Sequence, residues 1–211
     1  MRCRIKICGI TTREDAEFCA RCGADAIGFV FAESRRRIST EEARAIVLSC
    51  EPYVTPVGVF VDRPVEEVVE TLVVSGCRVA QLHGQEPPSY IEALSPYPVV
   101  KAIRVGASLD EDAVRGYKGA RAILLDTYVP GVAGGTGQRF DPAVARRLVQ
   151  EGWRVILAGG LTPENVGEAV SLVRPYAVDA SSGVESQPGR KDPVKVAAFI
   201  AAVRAADGGA R

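Results

Sequence analysis

Val155-Ile156-Leu157-Ala158-Gly159-Gly160-Leu161-Thr162-Pro163 reads as an apolar strand, a glycine turn and the opening of a helix. A run of four apolar residues between turn signals suits a strand buried on both faces. Thr162-Pro163 places a cap and then a proline whose φ is preset for the first helical position. The same unit recurs throughout the 211 residues. Strands are predicted at 5–8, 26–31, 57–61, 79–83, 99–104, 122–127, 155–158 and 177–181. Helices are predicted between and after them, near 12–22, 40–50, 65–75, 87–94, 109–116, 142–151, 163–173 and 191–204. Thr11, three residues before Glu14, has the form of a capping box. Thr40 and Asp141-Pro142 offer similar starts. Gly23, Gly76 and Gly152 supply the left-handed residue that a helix end prefers.

About eight strand-then-helix units with short links require parallel strands, because each return needs a crossover helix. The count and length predict a closed (β/α)8 TIM barrel forming one domain over residues 1–206, with a frayed tail at 207–211. A doubly wound open sheet is the alternative and would usually use fewer strands.

Acidic and basic residues balance at 26 each. A chain without a basic field is not expected to bind nucleic acid. No apolar run reaches membrane-spanning length, and the N-terminus enters a strand without a leader-like apolar stretch, so a cytoplasmic protein is expected. The six cysteines are then expected to be free thiols. Cys19 and Cys22 form a CxxC. It lacks a second ligand pair, and the single histidine is His83, so two small helix residues are the plainer reading.

In barrels of this kind, phosphate is often held by the loops after strands 7 and 8. Glycine lets backbone N–H groups approach the anion, and a helix N-terminus adds a favourable dipole. Here strand 7 runs into Gly159-Gly160, strand 8 into Ser181-Ser182-Gly183, and strand 6 is followed by Gly134-Gly135-Thr136-Gly137. Each alone would pass for a turn. Together, at one end of the barrel, they predict a phosphate site with donors at Gly160, Ser182 and Gly183 and with Gly135 nearby. Asp179 is expected to orient this region.

On strand 1, Ile5 and Ile7 share one parity and Lys6 and Cys8 the other. The apolar pair should face the helices, which turns Cys8 toward the barrel axis at the mouth, where active residues of this architecture sit. Asp126 ends an otherwise apolar strand, and burying a carboxylate unpaired is expensive. A small buried cysteine and a loop-capping carboxylate would explain each residue separately. Together across the mouth they suit an isomerisation in which one group removes a proton and another donates one. A thiol of ordinary pKa would need activation, which Lys6 could supply. His83 shares parity with Gln81 and could act on substrate or serve as a hydrogen-bonding support. Of Arg35, Arg36 and Arg37, two are expected to be solvated and one to reach the mouth and pair with a carboxylate.

The segments Lys6-Ile-Cys-Gly-Ile-Thr11, Gly28-Phe-Val-Phe31, Gln81-Leu-His-Gly84, Gly134-Gly-Thr-Gly137, Leu157-Ala-Gly-Gly-Leu-Thr162 and Ser181-Ser-Gly-Val-Glu185 stand in the order found in the phosphoribosylanthranilate isomerase family. The chain resembles that family over essentially its whole length. The resemblance implies an Amadori rearrangement in tryptophan biosynthesis, with Asp126 as general acid, Cys8 as general base and Arg36 on the anthranilate carboxylate. It implies no metal and no cofactor, and either a monomer or a homodimer. Arg35 and Arg37 stand where proline and tyrosine are common, Asp62 where asparagine is common, and Pro142 where tryptophan is common. Two rival readings remain at this level. One is another phosphate-binding barrel enzyme, since a fold does not fix a reaction. The other is a barrel that binds a phosphorylated metabolite without turnover.

Overall fold

Eight parallel strands close on themselves in sequence order in the computed structural model, which describes residues 2–105, 109–126 and 142–208. The strands are β1 (Arg4–Cys8), β2 (Ala26–Val30), β3 (Thr55–Phe60), β4 (Val79–Leu82), β5 (Val99–Arg104), β6 (Ala122–Asp126), β7 (Val155–Ala158) and β8 (Ala177–Ala180). The helices that return the chain are α1 (Arg13–Cys22), α2 (Thr40–Ser49), α3 (Val65–Ser75), α4 (Pro88–Ala93), α5 (Glu111–Gly116), α6 (Pro142–Gln150), α7 (Val166–Val173) and α8 (Pro193–Gly208). The predicted TIM barrel is therefore present. Between β8 and α8 the chain adds a 3-10 turn (Ser182–Val184) and a small antiparallel hairpin, β9 (Glu185–Gln187) with β10 (Arg190–Lys191).

Strand parity sorts the core into two parts. Ile5, Ile7, Ile27, Phe29, Ile123, Leu125, Val155 and Val178 face outward and pack against the helices. Ala102, Ala122, Leu124, Ile156, Ala158 and Ala177 form a smaller cluster inside the barrel. The interior is thus filled with small and aliphatic side chains on the β5 to β8 side. On the β1 side the inward positions are Lys6 and Cys8, both buried.

The caps differ locally from expectation. Thr12, not Thr11, caps α1 by accepting from the Asp15 N–H, and Thr11 donates its hydroxyl to the Gly189 carbonyl 2.5 Å away. Ser39 makes the capping box of α2 with Glu42, one residue before Thr40. Helix α7 starts at Val166 rather than at Pro163, because Asn165 accepts from the Thr162 N–H and tightens the preceding turn. Gly23, Gly76 and Gly152 all carry positive φ, as predicted. Asp141 lies outside the described residues. The expected frayed tail is corrected in part. Helix α8 continues to Gly208, and the Asp207 carboxylate accepts from the Cys3 N–H at 3.0 Å.

All six cysteines are free, with Cys19 of the CxxC in the core and Cys22 half-buried. Burial pushes the thiols of Cys3 and Cys19 up to about 12 and that of Cys77 up to about 11. These folded-state values lie above the unfolded thiol range, so the unfolded chain ionises first as pH rises. Their contribution is complete below about pH 9 and is lost progressively up to about pH 11–12. Stability should fall by up to about 1.4 kcal/mol per pH unit for each such thiol over that window. Urea midpoints at pH 8 and pH 10 will measure the slope, and Cys19→Ala should flatten it. Identical slopes in the two proteins would show that Cys19 is not one of the groups responsible.

No described helix is long and apolar enough to cross a membrane. A cavity of about 950 Å³ opens at the N-terminal end of the barrel, lined in part by Arg2, Trp153, Arg174 and Tyr176. Its lining includes none of the predicted site residues that the structure describes, which gather at the opposite end.

Candidate active site

Cys8 is the last residue of β1 and points into the barrel mouth, 9% exposed. Its register partner on β2 is Gly28. A Cβ at Gly28 would stand 2.7 Å from Cys8 Sγ and 3.0 Å from Lys6 Nζ. The glycine thus provides the space that lets a thiol and a lysine share the interior. Lys6, one inward position below Cys8, is paired in register with Asp179 of β8, and Lys6 Nζ donates to Asp179 Oδ2 at 2.8 Å. Both side chains are about 7% exposed. Asp179 Oδ1 is buried and bears no hydrogen bond from any of the described residues.

The electrostatics of Cys8 are a contest. Burial pushes the thiol above its ordinary range. Lys6, and more weakly Lys191, pull it back by charge, while the Asp179 carboxylate adds to the rise. Burial wins, and the neutral thiol is favoured over the thiolate. The expected activation by Lys6 is present but does not prevail alone. Lys6 faces the reverse contest. Burial opposes its charge, but the Asp179 carboxylate and the Cys8 sulfur together outweigh it and hold the ammonium above the ordinary lysine range.

Asp126 ends β6 with a partly exposed side chain, next to Ala158 of β7 in register. His83 Nε2 lies 3.0 Å from Asp126 Oδ2, and Gln81 Nε2 lies 3.3 Å from His83 Nδ1. The inward parity read for Gln81, His83 and Asp126 therefore produces a chain of three polar groups. Its tautomer is set by how the Gln81 amide is turned. With the amide donating to Nδ1, His83 donates to an ionised Asp126. With the amide reversed, His83 Nε2 accepts from a protonated Asp126. The arrangement can hold a proton on the carboxyl or on the ring.

Of the three arginines, Arg35 and Arg37 are exposed and Arg36 is half-buried, as the two-to-one division anticipates. Arg36 lies over Gly9 and donates from Nε and Nη2 to the two Glu185 oxygens at 2.8 and 2.7 Å. Burial would push Glu185 up, but Arg36 and Lys191 overcome it and hold the carboxyl below the ordinary range. Lys191 Nζ also donates to the Cys8 carbonyl at 2.6 Å, tying the hairpin to the end of β1. Glu185 and Lys191 had no role in the reading of the sequence. The signal for Glu185 was its place at the end of the Ser181–Glu185 segment that carries the resemblance.

The two glycine loops meet. Gly159 and Gly160 take φ of 87° and 66°, a backbone region that L side chains rarely adopt. The first internal bond of the 3-10 turn runs from the Val184 N–H to the Ser181 carbonyl, so the N–H groups of Ser182 and Gly183 lie ahead of the turn's own bonding. A Cβ at Gly183 would overlap the Leu161 carbonyl oxygen, so close contact of the two loops depends on this glycine. Gly183→Ala should therefore cost about 1–3 kcal/mol and loosen the cradle. Urea denaturation and calorimetric titration with inorganic phosphate will test it, and an unchanged midpoint with unchanged phosphate binding would rule the contact out as important. Gly135 lies outside the described residues.

Asp62, where the resemblance would favour asparagine, takes φ of 48°, which Asn and Asp tolerate better than most side chains. Its carboxylate accepts from the Gln85 N–H at 2.6 Å. Buried Glu86 accepts from Asp62 N–H, Gly84 N–H and Lys101 Nζ, which fixes the loops after β3 and β4. Among the described residues, no group of three or more His, Cys, Asp or Glu side chains is placed to hold a metal ion.

A family model described as N-(5'phosphoribosyl)anthranilate (PRA) isomerase matches residues 5–202. The chain belongs to this isomerase family. The N-(5'-phosphoribosyl)anthranilate isomerase of Moorella thermoacetica is 50% identical over 206 residues, 97% of this chain and 91% of that protein. The crystal structure of phosphoribosyl anthranilate isomerase from Thermotoga maritima superposes with a TM-score of 0.87 at 40% identity, covering 96% of this chain and 99% of the other. A third structure is a phosphoribosyl anthranilate isomerase in complex with reduced 1-(o-carboxyphenylamino)-1-deoxyribulose 5-phosphate. It superposes with a TM-score of 0.83 at 38% identity over 96% of this chain and 99% of that one. The family membership favours an isomerase over both rivals, a barrel enzyme of other chemistry and a barrel that binds without turnover.

Proposed function

We propose that this chain converts N-(5-phosphoribosyl)anthranilate into 1-(2-carboxyphenylamino)-1-deoxyribulose 5-phosphate, an acid–base Amadori rearrangement serving tryptophan biosynthesis. The observation that carries the reading is the placement of Cys8 and Asp126. Both end inward-facing strand positions at the same mouth, with small Ala158 and buried Asp179 on the strands between them. Asp126 donates a proton to the ring oxygen. The C1′–O bond breaks as the nitrogen lone pair forms a protonated Schiff base. Cys8, once its thiol has lost its proton to solvent, takes the C2′ proton as thiolate, and the electrons of that C–H bond form the C1′=C2′ bond and neutralise the nitrogen. The enolamine then tautomerises to the ketone. The rearrangement is redox-neutral and conserves every atom.

The substrate's other groups find matching chemistry. The phosphate suits the backbone donors of Gly160, Ser182 and Gly183, where glycine allows close approach. The anthranilate carboxylate suits Arg36, whose guanidinium is held in place by Glu185. A sugar hydroxyl suits Asp179 Oδ1, a buried acceptor with no donor among the described residues. His83 is assigned to position Asp126, and through it the substrate. The free thiols fit a reducing cytoplasm.

The test is a fluorescence assay on the purified protein. Phosphoribosylanthranilate is generated in place from anthranilate, and the loss of its fluorescence is followed. Loss that depends on protein concentration and yields the deoxyribulose product is expected. Tight binding of a phosphorylated ligand with no fluorescence loss would move the chain to the non-catalytic reading.

A further inference from the structure

We propose that Lys6 is a positioning residue for the reaction: clamped by Asp179, its ammonium is the counter-ion of the Cys8 thiolate. This rests on the reading of Cys8 as the general base. A lysine inside a barrel is costly to bury, and lysines are almost never fully buried unless paired. Here the cost is offset by the 2.8 Å bond to Asp179 Oδ2 together with the attraction and hydrogen bond of the Cys8 sulfur, and a stabilising role alone would be served as well by two apolar side chains. The geometry gives Lys6 a second target. Cys8 Sγ and Lys6 Nζ both crowd the point at which a Gly28 Cβ would stand, at 2.7 and 3.0 Å. Any side chain at residue 28 would displace one of them, so the glycine keeps the ammonium under the thiol. Asp179 in turn prevents the lysine from reaching out of the mouth, and its own charge opposes the thiolate.

The groups facing Cys8 can be named by element. Lys6 comes from β1, Asp179 from β8 and Lys191 from β10, while β2 contributes only Gly28. Beyond these, Arg36 lies over Gly9 and pairs with Glu185, while His83, one residue past β4, and Asp126, at the end of β6, stand across the mouth. Two of the three charges nearest the sulfur are therefore positive and one is negative. The pair Lys6 and Asp179 must act on the thiol with opposite sign.

That opposition supplies the test. The acid limb of the kcat–pH profile is measured for the unmodified protein, Lys6→Met and Asp179→Asn. Lys6→Met should move the limb to higher pH, lowering kcat at neutral pH by about tenfold for each pH unit moved, with activity recovering in alkali. Asp179→Asn should move the limb to lower pH, whatever its effect on KM. A limb that stays in place in both variants would overturn the proposal, as would a shift of the same sign in both. If Lys6→Met does not fold, the Asp179→Asn shift alone decides, since an unmoved limb there refutes the clamp. Cys8→Ser separates the two levels of the argument. A limb that persists unchanged in Cys8→Ser would refute the assignment of the base itself, whereas a limb lost in Cys8→Ser but unmoved by Lys6→Met would refute only the role of the lysine.

Discussion

Cys8→Ala is expected to lower kcat by about 10²–10⁴-fold, the usual range for a positioned acid or base, while KM changes little. The reason lies in where the sulfur sits. It is inward-facing at the strand end, and the groups assigned to hold the substrate come from other elements. Arg36 follows β2, Gly160 follows β7, and Ser182 and Gly183 follow β8. Removing one sulfur leaves them in place, because Lys191 holds the end of β1 through the Cys8 carbonyl rather than through its side chain. Steady-state kinetics by fluorescence, with a thermal melt as the folding control, will give both constants. A kcat within a few-fold of the unmodified protein would remove Cys8 from the mechanism.

Asp126→Asn should produce a loss of similar size, about 10²–10⁴-fold in kcat. The amide is nearly the same shape and can still accept from His83 Nε2, which lies 3.0 Å from the present oxygen. What it cannot do is deliver a proton to a departing ring oxygen. The loss should therefore fall on kcat with the fold intact, and a substrate already ring-opened should be spared. Kinetics on the variant with and without borohydride-trapped Schiff base as a measure of ring opening will separate the steps. Normal turnover, or a loss that appears only in KM, would reassign Asp126 to binding.

Much of this site was legible because the relevant patterns are local. The eight strands and eight helices lie within a few residues of their predicted bounds, since apolar runs, amphipathic periods and glycine ends are written within about ten residues of one another. The inward turn of Cys8 and Asp126 followed from strand parity alone. The β9–β10 hairpin was not legible, because strands of three and two residues carry no period to read. Thr11 illustrates a related limit. Its sequence suited a cap, but its hydroxyl serves Gly189, 178 positions away.

Read alone, the chain specified the order of its elements and the inward turn of Cys8 and Asp126, because short-range periodicity and strand parity govern these, and its unit count favoured a closed barrel over an open sheet. What the inward residues meet is set by contacts between distant parts of the chain. Lys6 finds Asp179 across 173 positions and Arg36 finds Glu185 across 149. Gly28 and Gly183 matter for the space they leave, which has no signature in their neighbours. Charge pairing and steric exclusion act through distance in space, and closing the barrel is what brings β8 and its hairpin alongside β1.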